Sequence, residues 1–171
     1  MSRIDYKPGS KTNSRIEHIK PQKLSLAEGK IEETLSYANM ILCCNGDVDH
    51  DGNTHCDRKK GDRPIHFSPL DDTAMSTIGY SWRDGIIMSS DTQINEDIND
   101  VLNLNHRRLA ANRSAVVRAL LNEMTKKSWK KAEIEDKLNL YRTKDATGRL
   151  KAYCGIVVWF LNKRLKQLTS R

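Results

Sequence analysis

The 171-residue chain lacks long hydrophobic runs, has few cysteines and carries fewer acidic than basic side chains. Its most apolar stretch, Ile156 to Leu161, falls far below the roughly 18 residues a membrane helix needs, so no membrane span is expected. Arg3 and Lys7 are followed by no apolar block, which argues against a secretory signal and makes the cytoplasm the expected location. The four cysteines sit at 43, 44, 56 and 154. Three of them cluster, and in a reducing compartment clustering points to metal ligation before disulfides. No repeat or low-complexity segment occurs. What remains is ordinary for a soluble protein, with 37% hydrophobic and 30% charged residues. Lys and Arg outnumber Asp and Glu by 29 to 22, for a formal net charge of +7. That balance suits a polyanionic partner, and it equally suits a solvated basic surface.

Along the chain, Arg15 to Ile19 reads as a short strand ended by Pro21, and Leu35, Ala38, Ile41 and Leu42 recur at helical spacing. Cys56 to Gly61 opens a short basic helix that Pro64 stops from extending. Ile78 to Trp82 and Ile86 to Met88, around Asp84-Gly85, form a hairpin pattern. From residue 95 the apolar period becomes helical, through Ile98 and Val101, then Leu109 to Met124, Ile134 to Tyr141 and Tyr153 to Leu168. The predicted architecture is therefore α+β, with a site-bearing module over residues 1–92 and an α-helical module over 93–171.

Phosphodiester hydrolysis needs an activated water, a cation to neutralise developing charge and ligands to hold that cation. Glu17-His18 offers a carboxylate for Mg²⁺ and an imidazole that can take a proton from water. Adjacent strand side chains point to opposite faces, but at a strand end both can serve one site. Taken alone, the dipeptide equally describes an exposed acid beside an imidazole.

The order of Glu17-His18-Ile19-Lys20-Pro21, then Asn39 five residues before Cys44, then Cys56-Asp57-Arg58-Lys59-Lys60 resembles the HNH endonuclease family. The resemblance implies a ββα-metal fold and a metal-dependent nuclease. It implies that Asn39 pins the loop aiming His18, that Asp57 is the second Mg²⁺ ligand, and that Arg58, Lys59 and Lys60 meet nucleic acid. For Lys60 a solvated surface position is the alternative. It also implies structural Zn²⁺ on two cysteine pairs, of which only Cys44 and Cys56 are visible, with Cys43, His50 or His55 available to complete the set. Met1 to Ile4 looks like the stretch following the first pair, which would then lie upstream.

Asp47-Val48-Asp49-His50-Asp51-Gly52 matches half of an EF-hand loop, but Arg58 stands where the bidentate Glu belongs, so an acidic solvated insertion is expected. Cys154 and the three tryptophans read as core or interface residues, and His66 and His106 receive no role. Leu102-Asn103-Leu104-Asn105, Asn112-Arg113 and Gly148-Arg149-Leu150 add a likeness to the HNH subunits associated with retrons and the Septu anti-phage system. That likeness implies an ABC/SMC-like ATPase partner, a DNA or RNA substrate and, in retron versions, a reverse transcriptase with its non-coding RNA and cDNA. It also raises the expectation that an apolar Trp159-Phe160 face docks the ATPase. A non-cleaving nucleic-acid-binding or adaptor subunit is the alternative function.

Overall fold

The computed structural model describes residues 14–44, 46 and 48–169. It mixes α and β structure, with two small antiparallel two-stranded sheets and several helices. Strand β1 (Ser14–His18) is followed by short helices α1 (Gln22–Ala27) and α2 (Ile31–Leu35), a 3-10 turn over Tyr37–Asn39 and strand β2 (Met40–Cys44). The helical spacing seen around residues 35–42 is therefore resolved differently. Met40–Cys44 extends and pairs with β1, with Ile16 opposite Leu42, Glu17 opposite Ile41 and His18 opposite Met40. A five-residue apolar strand is too short to display its period of two, so the pairing partner decides its conformation.

Helices α3 (Asp57–Lys60) and α4 (Asp72–Ser76) follow, then strands β3 (Ile78–Tyr80) and β4 (Ile87–Ser89), helix α5 (Thr92–Glu96) and a π turn over Asp97–Val101. Helices α6 (Arg107–Lys127), α7 (Lys131–Arg142) and α8 (Cys154–Thr169) complete the order. No helix among the described residues is long and apolar enough to cross a membrane.

Two compact units form, and their boundary differs from a break near residue 93. Gly79–Ile87 belongs with the helices from Arg107 onward, whereas Met88–His106 belongs with the segment ending at Ile78. The physical reason is local anchoring: the Leu102 carbonyl accepts Cys56 N–H at 2.8 Å and the Asp97 carboxylate accepts His66 N–H at 2.6 Å.

The helical unit has a conventional core of Val117, Leu120, Ile134, Leu138, Ile156, Val157, Phe160 and Leu161. Phe160 is thus spent inside this core, and Trp159 packs edge-on to Tyr80 with Lys163 over its ring. Of the aromatic pair, Phe160 is therefore part of the core, while Trp159 stays partly exposed at its edge. Gly85, at φ +75°, lets this unit close: a Cβ there would lie 2.1 Å from the Ala110 carbonyl oxygen.

The site-bearing unit is built differently. Among the described residues its buried apolar side chains are few: Ile65, Ala74, Ile78, Ile94 and Ile98. Beside them Ser25, Thr34, His55, Lys60, Asp97 and His106 are also buried. Buried polar groups are tolerated only when paired, so much of this unit's cohesion must come from specific polar contacts.

Candidate metal and catalytic site

Helix α3, at four residues, is too short to stand alone. It is held by Cys56 N–H on the Leu102 carbonyl and by the Arg63 guanidinium, which donates to the Lys59 and Val101 carbonyls at 2.9 and 3.1 Å. Strand alternation puts Arg15, Glu17 and, on the paired strand, Cys43 on one face of the hairpin, with Ile16 and His18 on the other. Helix α3 meets the first of these faces. Arg15 pairs with Asp57 at 3.1 Å, and the Lys60 ammonium donates to Glu17 Oε1 at 3.0 Å.

The Lys60–Glu17 and Arg15–Asp57 pairs bring the two carboxyl groups near enough to perturb one another's ionisation. Burial and then the Glu17 carboxylate push the Asp57 carboxyl up from its ordinary 3.8 to about 6, against the opposing pull of Arg15. Burial acts to raise Glu17 as well, but hydrogen bonds to Asp57 and Lys60 and the Lys60 charge outweigh it, so the net shift is downward. Two carboxyl groups close enough to share a proton can also share a cation. A divalent ion binding there must expel the Asp57 proton. Apparent affinity for Mn²⁺ or Mg²⁺ should therefore fall about tenfold per pH unit below pH 6 and level off above it. Calorimetric titration across that range checks this, and a flat profile would contradict it.

His18 does not join that carboxyl pair. Its Nε2 lies 3.0 Å from the Thr34 carbonyl oxygen. A carbonyl can only accept, so Nε2 carries the hydrogen and, in the neutral ring, Nδ1 carries the lone pair. Asn39 links the surrounding segments. Its Oδ1 accepts Lys20 N–H at 2.8 Å, and its amide donates to the Lys20 and Glu33 carbonyls at 3.0 and 3.1 Å. It thus clamps the exit of β1 just beyond His18.

Lys60 departs from expectation. It is 2% exposed and bound to Glu17, so it is neither a solvated lysine nor placed to contact a phosphate. The side chain turns inward because Glu17 offers a charge partner on the covered face of the hairpin. Arg58 and Lys59 remain exposed.

A second cluster lies at the end of β2. Cys44, His55 and Cys56 each offer a ligand atom, all within 4.8 Å of one another. His55 Nδ1 is 3.2 Å from Cys56 Sγ and 3.8 Å from Cys44 Sγ. A hydrogen bond with Cys44, and then burial, push the Cys56 thiol upward, and a metal bound there would displace its proton. Two sulfurs and an imidazole form a set compatible with zinc. His55, one of three residues available from the sequence, therefore joins. His50 is 97% exposed at its side chain. Cys43 lies toward the carboxyl pair, where burial and then the charges of Asp57 and Glu17 raise its thiol to about 12.

In the acidic insertion, Asp49 Oδ1 accepts the N–H groups of Asp51 and Asn53, the pattern of a loop closing on itself. Asp47 and Met1 to Ile4 lie outside the described residues. The two histidines without an assigned role both have carboxylate partners, His66 with Asp97 and His106 with Asp49, each at 3.0 Å.

No family model matches the sequence, and no curated protein or solved structure is detectably similar to it.

Proposed function

We propose that the chain is a metal-dependent HNH-type endonuclease that hydrolyses nucleic-acid phosphodiesters. The observation that supports this is the pair of contacts by which the hairpin and the first turn of α3 join, Lys60 on Glu17 and Arg15 on Asp57, while the next strand residue, His18, is fixed through Nε2 on a carbonyl. Glu17 and Asp57 would hold a hard divalent cation such as Mg²⁺, which would supply charge neutralisation at the phosphoryl oxygens. His18 lies on the other face of β1 but at its last residue, so its Nδ1 would take the proton of the attacking water around the strand end, and the Thr34 carbonyl would stabilise the resulting imidazolium through Nε2. Asn39 keeps the β1 exit in register so that the ring stays aimed. Arg58 and Lys59, exposed on α3, supply backbone phosphate contacts.

We further propose that the nuclease serves as the effector of a retron- or Septu-type defence complex, beside an ABC/SMC-like ATPase and, in the retron form, a reverse transcriptase with its RNA and cDNA. Incubating the purified full chain with plasmid and with tRNA, with and without EDTA, tests the activity. Cleavage that requires Mg²⁺ or Mn²⁺ is expected, and no cleavage of either substrate with any divalent ion would overturn the assignment.

One observation favours the non-cleaving alternative: the Lys60 ammonium already neutralises Glu17, as it would in a purely structural ion pair. A binding subunit would hold nucleic acid with a steep salt dependence and without need of the hard cation.

A further inference from the structure

Cys44, His55 and Cys56 make three ligands, whereas a closed structural zinc site takes four. Among the described residues, strand alternation turns Cys43 toward the carboxyl pair and His50 is out in solvent, so neither completes the set. A second buried imidazole stands beside the cluster. His106 is 5% exposed and His55 3%, with their ring centroids 4.9 Å apart.

The segment bearing His106 is tied to the ligand loop by two hydrogen bonds. Cys56 N–H donates to the Leu102 carbonyl at 2.8 Å, and the Asn103 amide donates to the Thr54 carbonyl at 2.8 Å. The Asp49 carboxylate lies 3.0 Å from His106 Nε2. A carboxylate on one ring nitrogen is the usual way a protein fixes a metal-binding histidine, because it holds the hydrogen there and directs the lone pair of the other nitrogen to the ion.

We infer that His106 is the fourth ligand of a zinc-type site with Cys44, His55 and Cys56, and that Asp49 aims its ring. This rests on assigning the three-residue cluster as a metal site. His106 falls outside the group sharing the mutual 4.8 Å separation, so metal entry draws its ring inward while the Asp49 contact persists. The charge balance favours it: two thiolates cancel the 2+ ion, and a second neutral imidazole keeps the buried site uncharged, as another carboxylate would not. The consequence is a metal tie between the β2–α3 loop and the end of the 97–106 segment, in a unit whose apolar core is small.

Cobalt(II), which reports its coordination in visible absorption, tests the inference on the full-length, reduced, metal-free chain. The parent should bind one Co²⁺ at this site, distinguished from any ion on the carboxyl pair by intense tetrahedral d–d bands and the near-ultraviolet band of two thiolates. His106→Ala should keep the thiolate band, lose tetrahedral intensity and weaken binding by roughly a hundredfold or more. His106→Cys, which can fold around the metal even if the alanine variant cannot, should regain tetrahedral intensity with a red shift and a three-thiolate band. Asp49→Asn should weaken binding roughly ten- to a hundredfold without changing the band pattern. If both His106 variants match the parent in spectrum and affinity, His106 is not a ligand although the metal site stands. If the parent binds Co²⁺ without any thiolate band, or not at all, the metal assignment itself fails and this inference falls with it.

Discussion

His18→Ala should reduce cleavage by roughly 10²- to 10⁴-fold, the usual contribution of a positioned general base. The fold should survive, because the side chain is half-buried and makes one hydrogen bond, to the Thr34 carbonyl, worth about 1 kcal/mol. Two companion variants separate chemistry from structure. His18→Gln can still donate an N–H to the Thr34 carbonyl but has no basic nitrogen, so it should melt like the parent and remain inactive. Adding imidazole to the alanine variant should restore part of the rate, since the missing group is then supplied from solution. Cleavage by His18→Ala at the parental rate would remove the histidine from the mechanism. Unimpaired cleavage by His18→Gln would do the same.

Several parts of this arrangement were readable in the sequence because they are local. Strand β1 is a short segment stopped by Pro21, and α3 is bounded by Cys56 and Gly61. The three long helices announce themselves by the spacing of Leu120, Ile134, Leu138 and Ile156, which the fold buries together. The less legible features depend on partners distant in sequence. Ile41 and Leu42 fit a helical spacing as well as a strand, and only pairing with Glu17 and Ile16 makes them extended. Lys60 sits in a basic run that looks solvated, and its burial follows from Glu17, 43 residues earlier. His55 had a usable signal, since it adjoins Cys56 and follows Cys44 by one loop. His106 had none: it lies 57 residues from Asp49, and only the π turn and the bonds around Leu102 and Asn103 bring it beside His55. The candidate carboxylates, imidazole and cysteines follow from their order along the chain, whereas their contacts depend on three dimensions.

The pairing of Lys60 with Glu17 carries the largest expected effect on stability, and it also tests whether the carboxyl pair is a cation site. Lys60→Met replaces the buried stem with one of similar volume and removes only the ammonium. Removing one partner of a buried ion pair typically costs about 3–5 kcal/mol. Glu17 keeps some solvent contact, so about 2–4 kcal/mol is expected here, read as a lower urea midpoint in EDTA. Without the ammonium, Glu17 and Asp57 face one another with Arg15 as the remaining cation beside Asp57. A divalent ion should then replace the missing charge: Mg²⁺ ought to stabilise Lys60→Met more than it stabilises the parent, and bind it more tightly. This outcome would give Lys60 a function that a surface lysine cannot have, that of keeping Glu17 ionised and the carboxyl pair assembled until the cation arrives. If Lys60→Met loses stability and Mg²⁺ gives it no more than it gives the parent, the Glu17–Lys60 bond is a structural ion pair and the carboxyl pair does not hold the ion. The non-cleaving alternative would then be the better account of the chain.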